Sequence, residues 1–202
     1  MKSDTAFADD AQPSWRVLLL DDDPDMADLC AALLDGLRFR SRPATLEWCQ
    51  TPAQALTRWH PSPPAVAIVD WDLAAQQTGA DFIRNLREQD HTWMTRIILT
   101  TARTELITEW EATLSLELDG FLPKAAWTQD HLRSVVYSAL HAFDLIARLE
   151  AGRRSMLEAA RELMQLDADQ VLTQRVDAIV SSLLRSSEAL GKPDSDVWTW
   201  GS

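Results

Sequence analysis

Apolar residues fall in short runs that stop at polar or charged residues. Between those runs, apolar positions recur every three or four residues. Val17 to Leu20 is a four-residue apolar run ended by Asp21-Asp22-Asp23-Pro24, the pattern of a buried strand. Asp23 can cap the next helix, with Pro24 at its first position, where a missing N–H costs nothing. Leu29, Ala32, Leu33 and Leu37 continue at helical spacing, and Gly36 weakens the end of that helix. Thr45 to Cys49 predicts a second short strand. Thr51-Pro52 caps a helix through Leu56 and Trp59, which stops at Pro61-Ser62-Pro63-Pro64. Ala65 to Val69 is a continuous apolar strand ending at Asp70. Asp81 to Glu88 is an amphipathic helix with Phe82, Ile83 and Leu86 inward. Ile97 to Leu99 runs as a strand into Thr100-Thr101, Glu105 to Leu118 is helical in period, and Gly120 to Leu122 is a short strand before Pro123-Lys124. Thr128 caps a long helix that begins near Gln129.

Five strands thus alternate with five helices. Near-continuous apolar strands between amphipathic helices imply a five-stranded parallel sheet covered on both faces. Right-handed crossovers make it a doubly wound α/β domain, whose ligands collect at the carboxyl ends of the strands. Beyond it, Leu132, Val136, Ala139, Phe143 and Ile146 form a helical stripe that meets Glu150 and Arg153 and resumes at Leu157, Ala160 and Met164. A further helix carries Leu172, Val176, Ile179, Leu183 and Leu190 on one face, separated from the first by Leu166 to Asp169. Two helices outside a closed domain cannot bury both stripes alone, so residues 147–202 are expected to be a helical dimerisation or docking element with a flexible end. Residues 15–146 are the expected α/β domain and residues 1–14 a disordered leader.

Composition narrows the functional classes. The chain has 202 residues, 46% hydrophobic, and a net charge of −12. That balance disfavours non-specific nucleic-acid binding. The C-terminal third also holds more acidic than basic residues and shows no helix-turn-helix pattern, so a DNA-binding output is not expected. No window is long and apolar enough for a membrane span, and Met1 to Pro13 lacks the apolar run of a secretory signal. The two cysteines, Cys30 and Cys49, form no CxxC pair and read as small buried hydrophobes of a cytoplasmic protein. His60, His91, His131 and His141 do not form metal spacing.

The strand ends carry the chemistry. Asp21, Asp22 and Asp70 would lie at one sheet edge, where each like-charge pair at about 4 Å costs roughly 4 kcal/mol before screening. A cation relieves this, and oxygen-only ligands at an open site suit Mg²⁺. Lys124 and a threonine hydroxyl, Thr101 or Thr100, share that edge. A carboxylate, Mg²⁺, a lysine and a hydroxyl together suit a phosphoryl group.

The segments VLLLDDDP (17–24), AIVDWDL (67–73), IILTTA (97–102) and GFLPK (120–124), in this order, resemble the receiver domain of two-component response regulators. The resemblance implies a flavodoxin-like receiver fold with Asp70 as phospho-acceptor. It implies Asp21 and Asp22 as the acidic pair holding Mg²⁺, with Asp70 and the main-chain carbonyl of Asp72 as further ligands. Thr101 would be the switch hydroxyl, Lys124 the lysine that pairs with the phosphate, and Phe121 the aromatic switch position. The expected phosphoryl donor is a sensor histidine kinase or a phosphotransfer protein. The receiver's own chemistry would be limited to self-phosphorylation and slow self-dephosphorylation, and a downstream protein would read the state. The segment FRSRPATLEWC (39–49) and the leucine spacing of residues 150–190 resemble receivers that precede a GAF-like module and an HD-type phosphodiesterase.

The loop after Asp70 departs from the family pattern and reads AAQQTGA, with Gly79 as the counterpart of the usual glycine. Asp72 adds a carboxylate beside the acceptor, and Arg103 is expected to reach the pocket and oppose it. These departures motivate two further readings. One is a degenerate receiver acting as a phosphorylation-independent adaptor or dimeric scaffold. The other is a regulatory chain whose phosphodiesterase output lies on a separate chain.

Overall fold

A computed structural model describes residues 14–60, 62–74, 78–88, 92–103 and 109–164, with 176, 178–183 and 185 near the C-terminus. Six strands form one sheet: β1 (Trp15–Leu20), β2 (Arg38–Phe39), β3 (Arg42–Cys49), β4 (Val66–Asp70), β5 (Arg96–Thr101) and β6 (Gly120–Pro123). The spatial order is β2-β3-β1-β4-β5-β6, and every pairing is parallel except β2 with β3. The helices are α1 (Pro24–Leu34), α2 (Pro52–Trp59), α3 (Gly79–Arg87), α4 (Glu109–Leu116) and α5 (Gln129–Met164). The expected doubly wound parallel sheet is present, with one short antiparallel strand added at its edge.

Local chemistry starts each helix where the sequence places it. Asp23 accepts a hydrogen bond from the Asp25 amide at 2.9 Å, and the Thr51 hydroxyl accepts from Gln54 at 3.3 Å. The Thr128 hydroxyl accepts from the His131 amide at 3.2 Å, so α5 begins one residue after its cap. Helix α4 ends at Leu116, where Glu117 takes a left-handed φ of 51° and turns the chain. The first part of the predicted Glu105–Leu118 helix lies outside the described residues.

Alternating side chains of the strands build two cores. Val17, Leu19, Val66, Ile68, Ile98 and Leu122 pack under α1 and α5. Leu18, Leu20, Val69, Ile97 and Leu99 pack under α2, α3 and α4. Each fully buried Leu or Ile contributes about 1.5–3 kcal/mol relative to exposure, and both faces of the central strands gain it. Cys30 and Cys49 are buried in these two cores.

The chain divides into two compact units, residues 1–146 and residues 147–202. In the second, Leu149, Met156, Leu157, Val176 and Val180 are exposed. Leu166 to Asp169, Leu172 and Leu190 lie outside the described residues, as do residues 1–13. Among the described residues, no helix is long and apolar enough to cross a membrane.

Candidate phosphoryl-acceptor site

Asp21 follows the end of β1 and is fixed on all sides. Its amide donates to the Cys49 carbonyl at 3.1 Å, and its carbonyl accepts from the Trp48 indole at 2.7 Å. One carboxylate oxygen accepts from the Asp23 amide at 3.1 Å. The other lies 2.8 Å from Lys124 Nζ. The Trp48 contact was not anticipated, since residues 27 apart with no shared motif give no sequence signal.

Asp70 ends β4, the strand beside β1. Its Oδ2 lies 3.1 Å from Lys124 Nζ, while its Oδ1 is buried without a hydrogen-bond partner. The next amide, Trp71, donates to the Thr100 carbonyl at 2.8 Å and ties the segment after Asp70 to β5. Gly79, at the start of α3, packs against the back of Asp70. A β-carbon there would lie 2.0 Å from the Asp70 carbonyl oxygen and 2.9 Å from Val69 Cγ1. The residue at position 79 must therefore be glycine for the loop to close this tightly.

Carboxylate oxygens of Asp21, Asp22 and Asp70 all lie within 4.8 Å of one another. Asp21 is fully buried and Asp70 is 3% exposed. Burial first, and then the neighbouring charges of Asp21 and Asp22, push the Asp70 carboxyl up to about 6 against the pull of Lys124. Burial alone would lower Lys124. Its hydrogen bonds to Asp21 and Asp70 and their charges outweigh that, and its ammonium titrates above its ordinary value. One ammonium thus faces three carboxylates, so the ionised cluster is net negative, and one buried Asp70 oxygen is left without a partner. An all-oxygen donor set with an unpartnered buried oxygen fits a small hard divalent cation.

Thr101 closes β5 and is buried, its hydroxyl accepting from the Arg103 amide at 3.0 Å. Thr100, opposite Asp70 in the strand register, is buried with its hydroxyl unpartnered. Phe121 pairs with Leu99 across β5 and β6 and lies half-buried against the α2–α4 core. Arg103 reaches the carboxylate that Asp72 adds beside Asp70. Its guanidinium pairs with Asp72, with Nε 3.0 Å from Oδ2 and a second contact from Nη2 to Oδ1. Each of these two departures from the family pattern satisfies the other.

Comparison with known proteins identifies the family and the fold. The model of the response regulator receiver domain matches residues 17–137, and the chain belongs to that family. It is 28% identical over 179 residues to the 3'3'-cGAMP-specific phosphodiesterase 2 of Vibrio cholerae serotype O1. That alignment covers 87% of this chain but 34% of the relative, so the chain spans about a third of the relative's length. The likeness therefore continues past the receiver boundary. Among solved structures, a sensor protein from Polaromonas sp. JS666 matches with 27% identity and a TM-score of 0.55, covering 65% of this chain and 99% of that one. The signal receiver domain of an HD domain-containing protein from Pseudomonas fluorescens Pf-5 matches with 22% identity and a TM-score of 0.58, covering 67% and 93%. The expected likeness to receivers that stand before an HD module is thus found.

Proposed function

We propose that this receiver accepts a phosphoryl group on Asp70 from the phosphohistidine of a sensor kinase or phosphotransfer protein. The observation that carries this reading is the free, buried Oδ1 of Asp70 inside a cluster whose other Asp70 oxygen is held by Lys124. That oxygen attacks phosphorus in line, the histidine N–P bond breaks, and the imidazole leaves with the electron pair. Lys124 pairs with the phosphoryl charge, and the Thr101 hydroxyl turns from the Arg103 amide to donate to a phosphoryl oxygen. Asp21, Asp22, Asp70 and the Asp72 main-chain carbonyl would hold Mg²⁺, which neutralises charge on the transferring group. Phe121 reports the change by packing, having no hydroxyl.

Residues 15–146 are the receiver in this reading, and residues 147–202 the helical element that passes its state to a partner in the cytoplasm. The exposed Leu149, Met156 and Leu157 support that output, because a helix with unpaired apolar side chains gains by docking on a protein or on a second copy. The output is a shift between two packings and adds no active site.

The test is calorimetric titration with beryllofluoride and Mg²⁺, a phosphoryl mimic, on wild type and Asp70→Asn. Saturable binding to wild type alone is expected, with a change in size or helix packing on saturation. No binding to folded wild type would leave a phosphorylation-independent adaptor.

A further inference from the structure

Asp72 and Arg103 lie in two different loops, one just after the acceptor and one just after the switch threonine. The fork of Arg103 engages both oxygens of Asp72. Both side chains are at the surface, Arg103 54% exposed and Asp72 34%. The same Arg103 residue holds the Thr101 hydroxyl through its main-chain amide at 3.0 Å. Asp72 in turn is two residues from Asp70 and bridges to Thr78, the cap of α3. The pair therefore ties the loop that would receive the phosphoryl group to the residue that would move towards it.

We propose that Asp72 and Arg103 form a latch across the mouth of the acceptor site, in which Asp72 holds the guanidinium at rest and a phosphoryl group on Asp70 takes it over. This rests on Asp70 being the acceptor. The physical reason is competition between anions for one fork. A carboxylate carries one negative charge and a phosphoryl group nearly two, and guanidinium binds both in the same two-pronged geometry. Water already screens the Asp72 contact, so it is weak enough to be given up. Two residues of extended chain span at most about 7 Å, so the backbone that carries Asp72 stays close to that of Asp70, and the long Arg103 side chain is the part that moves. The Arg103 main-chain amide holds the Thr101 hydroxyl, so the guanidinium and that hydroxyl belong to one short segment. Arg103 is thus a phosphoryl-binding residue kept in reserve, and Asp72 sets the threshold for its release.

The latch makes the two partners act in opposite directions. The plain field of the two charges would also separate the single variants, so the double variant carries the distinction. The experiment is beryllofluoride titration with Mg²⁺ on the full chain for wild type, Asp72→Asn, Arg103→Gln and the double variant, with thermal unfolding of each. Asp72→Asn is expected to tighten beryllofluoride binding by about two- to fivefold, the range one exposed ion contact supports, and Arg103→Gln to weaken it by a similar factor. The double variant should match Arg103→Gln, because Asp72 acts only by holding Arg103. The two single variants should lose similar thermal stability, since each breaks the same pair. Single variants that shift affinity in the same direction, or not at all, overturn the latch. So does a double variant midway between them, which would make Asp72 a plain repulsive charge. No binding to wild type overturns the acceptor reading and the latch together, whereas wild-type binding indifferent to Asp72 and Arg103 overturns the latch alone.

Discussion

Gly79 presses against the main-chain carbonyl of Asp70, with room for no β-carbon between them. The contact sets how closely the start of α3 approaches the end of β4, and the Gly79 amide also donates to the Trp71 carbonyl at 2.8 Å. Gly79→Ala should therefore push α3 away from the acceptor strand and cost about 1–3 kcal/mol, the range of overpacked sites. Denaturant unfolding measures the loss, and beryllofluoride affinity should fall with it. Unchanged stability would mean that the loop has room to spare.

Burial of Asp70 has a consequence for stability. Its carboxyl titrates near 6 in the fold against an ordinary 3.8. Between those values the folded chain binds more protons than the unfolded one, so stability falls as pH rises through that window. The penalty is complete above about pH 6 and absent well below pH 4. In metal-free buffer Asp70→Asn should be more stable than wild type by about 1–3 kcal/mol at pH 8, with the gap closing towards pH 4. Chemical unfolding at both pH values checks the sign.

Lys124 holds two buried carboxylates at once, 2.8 Å from Asp21 and 3.1 Å from Asp70. Lys124→Met leaves both without that partner and should cost about 3–5 kcal/mol in the presence of a chelator. Added Mg²⁺ should recover part of the loss, because it offers the same carboxylates a cation. Thermal unfolding with and without Mg²⁺ reads this directly. A variant equally stable in both buffers would argue against a cation site at this cluster.

The sequence made the ends of the strands easy to place. The apolar runs stop abruptly at Asp21, at Asp70, at Thr100-Thr101 and at Pro123-Lys124, and that abruptness put Asp21, Asp70, Thr101 and Lys124 at one edge. Caps at Asp23, Thr51 and Thr128 were equally visible, because each is a short polar side chain one residue before a helix. The β2–β3 hairpin was not. Its turn residues, Arg40 and Ser41, adopt left-handed φ values of 49° and 62°, a conformation that sequence rules assign to Gly or Asn. Tertiary contacts hold that turn instead. Arg40 pairs with Asp144 at 3.0 Å, and Phe39 packs edge-on against Trp15 and Tyr137. Asp72 and Arg103 were legible as charged neighbours of two strand ends, but their two-pronged contact was not, since residues 31 apart carry no periodic signal.

The hairpin itself is testable. Phe39 is 2% exposed, and its carbonyl accepts from the Trp15 indole at 2.9 Å. Phe39→Ala should remove about 3–5 kcal/mol, as for a buried aromatic in a core. An exposed-edge cost well under 1 kcal/mol would show that the hairpin does not brace α5 along Tyr137 and His141.

The central claim is that Asp70 takes the phosphoryl group. The most direct measurement is incubation with acetyl phosphate and Mg²⁺, borohydride trapping of the acyl phosphate, and peptide mapping by mass. Reduction should convert residue 70 to homoserine in wild type and leave Asp70→Asn unlabelled. A folded wild-type chain with no label, or with its label on another residue, would contradict the account.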